Sequence, residues 1–211
     1  QQEFLKSLGF FEPPPFEIVE ASGGKPLLPS RWTELSSVTI SYGHGLSSTP
    51  MHLAAGYAAI ANGGRAVKPT LLKQSAPQLG PRDMSEETAA QARNMLRKVV
   101  TDGTASFAEV PGYQIAGKTG TADKPKPTGG YYDDKVINTF ASIFPIDNPK
   151  YVLIVTLDEP VETSGPKPRR TAGWTAVPVA AEMVRRIAPL LGLRPAVEPV
   201  NNAVLTLTSS N

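Results

Sequence analysis

Gly117-Lys118-Thr119-Gly120-Thr121 sets a cationic amine, two hydroxyls and a backbone position free of any side chain in adjacent places. That combination suits an anion: an ammonium, hydroxyl donors and accessible backbone amides match a carboxylate or a developing oxyanion. The preceding Tyr113-Gln114-Ile115-Ala116 alternates as a strand does. On a strand, Lys118 and Gly120 point one way while Thr119 and Thr121 point the other. A ligand lying along such an edge meets the amides of Gly120 and Thr121 with the Lys118 ammonium close by.

The same letters fit a second chemistry. Gly112 through Thr119 reads G-x-x-x-x-G-K-T, the phosphate-cradling loop of nucleotide-binding proteins, and Val152 to Glu159 has the form of an apolar strand ending in acids. A phosphate loop works because an apolar strand feeds the glycines and a helix starting at the lysine aims its free N–H groups at phosphate. Here Ala108-Glu109-Val110-Pro111 is too short and broken for that strand. Gly120, Pro125 and Pro127 oppose a helix after Thr119. A carboxylate or oxyanion is the favoured ligand, with nucleotide binding kept as the alternative.

Composition narrows the chemistry further. The 211 residues carry 21 Lys and Arg against 19 Asp and Glu, a net charge of +2 with no long basic run, so no nucleic-acid partner is indicated. Lys167, Arg169 and Arg170, set among prolines, read as a solvated loop. With no cysteine, thiolate catalysis, disulfides and thiolate metal sites are excluded, and two histidines leave little for a zinc cluster or a histidine triad. No metal and no cofactor is implied. His44, in the turn Tyr42-Gly43-His44-Gly45, reads as hydrogen-bonded scaffold, and His52 as a residue on a helix surface. No apolar run approaches the ~20 residues that span a bilayer.

These elements must position the pentapeptide. A short helix ends at Gly9, followed by mostly loop from Phe10 to Arg31, with Phe16-Glu17-Ile18-Val19 reading as a short strand. Thr49-Pro50 opens an alanine-rich buried helix to Ala61. A second helix runs from Glu86 to Val100, capped by Asp83 or Ser85, with Ala89, Ala92, Leu96, Val99 and Val100 inward and Arg93, Arg97 and Lys98 on the opposite face. The period then changes to that of strands at 113–121, 137–144 and 150–158, the last two joined across Pro145 to Pro149 as an antiparallel hairpin. Segments 123–136 and 162–171 read as polar, mobile loops. A last helix spans Ala172 to Leu191 with Pro178 near its start, and 192–211 hold a short strand and a frayed tail.

Taken in order, Tyr42-Gly43-His44-Gly45, Thr49-Pro50-Met51-His52-Leu53-Ala54, Tyr57 to Gly64, Pro111-Gly112-Tyr113 and Ala116 to Ala122 resemble consecutive blocks of a penicillin-binding protein transpeptidase domain. The details resemble the monofunctional class B, division-specific branch. The resemblance implies an α+β fold, an antiparallel sheet flanked by helices, serine β-lactamase/penicillin-binding-protein transpeptidase-like and incomplete. Residues 1–195 would be the C-terminal part of that domain and 196–211 a tail.

That family works through S-x-x-K, S-x-N and K-[ST]-G, with a serine nucleophile forming an acyl-enzyme. Ser22-Gly23-Gly24-Lys25 has the first spacing but stands in a glycine-proline loop, and Ser209-Ser210-Asn211 falls after Lys118 instead of before it. Both are chance matches, and the nucleophile is expected upstream of Gln1. The resemblance assigns Lys118 as the catalytic residue present, adding charge beside the nucleophile. It assigns Thr119, Gly120 and Thr121 to substrate binding: the hydroxyls on a carboxylate, Gly120 leaving room, and the Thr121 N–H in the oxyanion hole. Implied partners are a D-Ala-D-Ala stem peptide of peptidoglycan, β-lactams, and divisome or elongation proteins through the longer parent. The implied location is the periplasmic face of the bacterial inner membrane, through an anchor outside this chain. A non-catalytic interaction module of degenerate origin is the remaining alternative.

Overall fold

The alternating tract that begins at Ala116 forms the sheet around which the other elements are arranged. The computed structural model describes residues 1–76 and 78–196. In chain order the elements are α1 (Gln2–Ser7), α2 (Glu34–Ser41), α3 (Pro50–Ala61), β1 (Arg65–Val67), β2 (Leu79–Arg82), α4 (Glu86–Thr101), β3 (Ala116–Pro125), β4 (Tyr131–Phe144), β5 (Tyr151–Asp158) and α5 (Ala176–Leu190). Short 3₁₀ turns lie at Val19–Gly23 and Ser106–Ala108. The main sheet has the order β3-β4-β5 and is antiparallel throughout. The architecture is α+β, as the resemblance implies.

Register decides which side chains share a face. Thr119 stands opposite Phe140, which stands opposite Val155, while Lys118 stands opposite Ala141. The Phe140 face is the core: Phe140, Phe144 and Val155 cluster with Ala176, Val177, Ala180, Ala181, Val184 and Ala188 of α5. Those α5 positions recur at three- and four-residue spacing, and their small side chains let the helix settle close to two buried phenylalanines. Burying each Phe is worth about 1.5–3 kcal/mol. On the other face Ala141 and Ile143 are buried, and α3 lies against β4 and β5. Pro178 is the third residue of α5, where its missing N–H would have had no helical partner. The helix starts at Ala176 instead of Ala172, because residues 172–175 are used as turns.

Thr49 caps α3 with Pro50 at its first position, as the sequence predicts. His52 departs from expectation: it is buried, not on the helix surface. Its Nε2 lies 2.8 Å from the Glu12 carbonyl, so that nitrogen donates, and Nδ1 accepts from Thr49 at the cap. Most of α3 is half-buried, with Gly56 and Ala59 fully so. In α4, capped by Ser85, Arg93 and Arg97 turn inward. Arg93 donates to the Ile60 carbonyl at 2.9 Å, and Arg97 to Glu109 and, at 2.8 Å, to the Ile115 carbonyl. The long Arg stems bury their carbons while the heads serve stranded carbonyls.

Other expectations fail for identifiable reasons. Phe16-Glu17-Ile18-Val19 forms no strand: the chain bends at Glu17 and Ile18 and enters the 3₁₀ turn at Val19, while the Glu17 carboxylate accepts from Thr70 and from the Leu71 N–H. Helix α2 went unforeseen because Ser, Thr and Val residues are weak helix formers; a capping box between Thr33 and Ser36 starts it. The β1–β2 hairpin was likewise unforeseen. The 113–121 strand begins at Ala116, while Tyr113 bridges back to Val110. Segment 123–136 is no loop: β3 runs to Pro125 and β4 starts at Tyr131, with Gly129 and Gly130 at positive φ in the turn. Segment 162–171 is pinned by a bridge and an ion pair between Glu162 and Arg169. The expected strand within 192–211 falls largely outside the described residues.

The extended hairpin is tied to the end of β5 by Lys124, which reaches Asp158 and Glu159 at 2.8 Å each, and by Lys135 on Glu159. The hydrogen bonds it donates to Asp158 and then Glu159 push the Lys124 ammonium up to about 12, and those the Glu159 carboxylate accepts from Lys124 and Lys135 hold it below its usual 4.5. The Glu159 contribution is therefore present above 4.5 and lost as pH falls through its lowered value. The Lys124 contribution is present below 10.5 and lost as pH rises through about 12. Glu159→Gln should lower the melting temperature at neutral pH and flatten its fall as the pH drops below 4.5, read by thermal melts into the acid range. A second test concerns Gly117, where an added Cβ would lie 2.5 Å from the Ala141 carbonyl oxygen and 2.7 Å from the Phe140 ring. Gly117→Ala should cost ~1–3 kcal/mol in urea denaturation, and an unchanged midpoint would show that β3 can move away from β4.

Candidate functional site

Strand β3 pairs with β4 along one side, and among the described residues nothing pairs with its other side. Alternate N–H and C=O groups therefore face outward, ready for an extended ligand. Lys118, Gly120 and Thr121 are exposed and Thr119 is half-buried. The Lys118 ammonium donates to the Thr119 carbonyl at 2.9 Å and stays at the surface. A Cβ on Gly120 would meet only the Thr139 carbonyl oxygen, at 3.9 Å, so the glycine is not demanded by neighbours within the chain. The space above it is open.

The two threonines are held from behind. Thr119 Oγ1 lies 2.7 Å from Thr104 Oγ1, in the turn after α4. Thr121 Oγ1 accepts from the Ala172 N–H at 3.0 Å, in the turn before α5. A hydroxyl that accepts from behind keeps its own proton for something in front. The two turns also touch each other: a Cβ on Gly173 would sit 2.6 Å from the Thr104 carbonyl oxygen. Beside them lies an aromatic ledge. Phe107 and Trp174 have ring centroids 5.1 Å apart, and the Arg169 guanidinium sits 3.8 Å over the Trp174 ring.

All four expected site residues thus fall on one short stretch of free edge, with Thr119 and Thr121 on one face and Lys118 and Gly120 on the other. The nucleotide alternative fails here, since Lys118 lies inside a ten-residue strand and no helix starts there. Ser22 sits in a 3₁₀ turn with its hydroxyl on the Val19 carbonyl, and no helix places Lys25 one turn beyond it. Ser209 and Ser210 lie outside the described residues. His44 lies in its turn against the Tyr131 ring, 5.9 Å between centroids, at the tip of the β3–β4 hairpin. An apolar cavity of ≈ 330 Å³ lined by Leu8, Pro14, Met51 and Ala55 shares no residue with the β3 edge. Among the described residues no group of three or more His, Cys, Asp or Glu could hold a metal ion, and no helix is long and apolar enough to cross a membrane.

Thr104, Ala172 and Asn138, which support the edge, were not foreseen. Each acts through contacts 15 to 51 residues away in sequence, and two of the three use a backbone group or a commonplace hydroxyl.

Known proteins share this fold and much of this sequence. Residues 1–183 fit the model of the penicillin binding protein transpeptidase domain. The chain is 32% identical over 212 positions to a probable peptidoglycan D,D-transpeptidase FtsI of Caulobacter vibrioides, covering 95% of this chain and 36% of that protein. It is 36% identical over 185 positions to penicillin-binding protein PbpB of Mycobacterium tuberculosis, covering 79% of this chain and 27% of that protein. Among solved structures, the transpeptidase domain of Burkholderia pseudomallei penicillin-binding protein 3 superposes with a TM-score of 0.81 at 34% identity, over 93% of this chain and 59% of that one. Penicillin binding protein 3 of Mycobacterium tuberculosis, complexed with ampicillin, gives 0.80 at 30% identity, over 94% and 47%. The chain spans about a third of the length of the curated relatives it matches.

Proposed function

The chain belongs to the penicillin-binding protein transpeptidase family, and on that premise we propose that it is the substrate-anchoring part of a serine D,D-transpeptidase of the class B, division-specific type. The parent would crosslink peptidoglycan at the periplasmic face of the bacterial inner membrane, held by an anchor outside this chain and working with divisome or elongation proteins. The observation that carries this reading is the free β3 edge bearing Lys118-Thr119-Gly120-Thr121, with both threonine hydroxyls supported from behind.

A stem peptide ending in D-Ala-D-Ala would lie along that edge as an added strand. Its terminal carboxylate accepts hydrogen bonds from the Thr119 and Thr121 hydroxyls, and Lys118 supplies positive charge beside the reacting carbonyl. A serine from an upstream Ser-x-x-Lys motif attacks the penultimate carbonyl carbon. The new bond to serine oxygen forms, the bond to the terminal D-Ala nitrogen breaks, and that amine leaves with a proton. The Thr121 N–H and the serine's own N–H stabilise the oxyanion. An amine from a neighbouring strand then attacks the ester, forming the crosslink and freeing the serine. A β-lactam enters by the same route, its ring carbonyl taking the place of the penultimate carbonyl and its carboxylate that of the peptide terminus. Gly120 keeps the edge clear for either ligand.

This division of labour predicts that the chain alone, incubated with a fluorescent penicillin and resolved on a denaturing gel, carries no covalent label. A labelled band at the chain's own mass would put the nucleophile inside it. In the longer parent the label should appear, and Lys118→Ala should slow labelling by about 10²–10³-fold with the circular dichroism spectrum unchanged. An unaltered labelling rate would remove Lys118 from the chemistry. A folded parent that takes no label at all would instead mark a non-catalytic interaction module.

A further inference from the structure

One fully buried amide fastens the turn before α5 to the edge strand. Asn138 stands directly opposite Thr121 in the β3–β4 register and on the same face. Its Nδ2 donates to the Arg170 carbonyl at 2.6 Å and to Thr175 Oγ1 at 2.7 Å. Thr175 Oγ1 in turn donates to the Thr171 carbonyl at 3.2 Å. Both protons of the amide are thereby spent on residues either side of Ala172. Ala172 is itself fully buried, and its N–H is the donor to Thr121 Oγ1. The chain of contacts runs Asn138, then the 170–175 turn, then the Ala172 N–H, then the Thr121 hydroxyl.

The remaining atom of the amide argues that this wiring is more than packing. Among the described residues Asn138 Oδ1 is buried and has no hydrogen-bond partner. A buried acceptor without a partner is unfavourable, and an apolar side chain of the same size would avoid that cost. What an apolar residue would not do is fix the turn in two places. With the turn fixed, Thr121 Oγ1 is occupied as an acceptor on the Ala172 side, which leaves its proton available for an acceptor elsewhere.

We propose that Asn138 is a positioning residue for anion recognition, acting through the 170–175 turn and the Ala172 N–H to aim the Thr121 hydroxyl proton at the carboxylate of the bound ligand. The proposal rests on the transpeptidase reading above. It assigns Asn138 no contact with substrate, and it predicts a loss confined to ligands that carry the carboxylate.

The test compares acylation of the longer parent by benzylpenicillin and by its methyl ester, in which the carboxylate charge is masked. Asn138→Leu, close in size and without donors, should lower the free-acid to ester rate ratio by roughly tenfold or more while the ester rate changes little, because a hydrogen bond to a charged group is lost. Thr175→Val, which removes one acceptor of the Asn138 amide, should shift the ratio in the same direction, and Thr175→Ser should restore it. If Asn138→Leu does not fold, the Thr175 pair decides the question. Parallel falls of both rates, or an unchanged ratio, would reduce Asn138 to a packing residue and overturn the proposal. A wild-type parent that neither compound acylates would overturn the transpeptidase reading itself.

Discussion

The contact between the Phe140, Phe144 and Val155 face of the sheet and the alanine-rich side of α5 sets the position of everything else. On the helix side that layer is made by Ala176, Val177, Ala180, Ala181, Val184 and Ala188. Such short side chains would leave a gap by themselves, and the two fully buried phenylalanines fill it. Because the strands pair in a fixed register, seating Phe140 in this layer also fixes which way Thr119 and Thr121 face. A slip of one residue would exchange them with Lys118 and Gly120.

The same packing brings two turns to the back of the edge strand. The turn after α4 delivers Thr104 to Thr119, and the turn before α5 delivers the Ala172 N–H to Thr121. Each turn is anchored to the core by small buried residues, Ala105 and Ala108 in one and Ala172 and Ala176 in the other. The side chains on the open edge of β3 are thus supported from behind by turns packed into the core, as the proposed anion site requires if its donors are to be in place before a ligand arrives.

Charge is arranged differently along the hairpin. The Lys118 ammonium is at the surface and, among the described residues, donates only to the Thr119 carbonyl, whereas Lys124 and Lys135, farther along, are spent on Asp158 and Glu159. The paired lysines hold the hairpin to β5. The arrangement at Lys118 leaves its charge available to a ligand.

Much of this was legible in the residues. The strand character of the tract around Lys118, the cap at Thr49-Pro50, the α4 stripe, the last helix and the β4–β5 hairpin all follow from local periodicity and turn chemistry, which act over a few residues. The ordered motifs also identified the family. Local pattern could not foresee that His52 and the arginines of α4 turn inward, since their partners Glu12, Ile60 and Ile115 are distant in sequence. Nor could it show that 123–136 continues the hairpin, because its polar residues suit an exposed strand as well as a loop. Which groups stand on the edge strand could be read from the residues alone, since side-chain alternation is a local property of any strand. What stands behind them could not, because Thr104 and Ala172 reach that strand through the long-range packing of the turns after α4 and before α5, and Asn138 faces Thr121 through a cross-strand register that local pattern does not set.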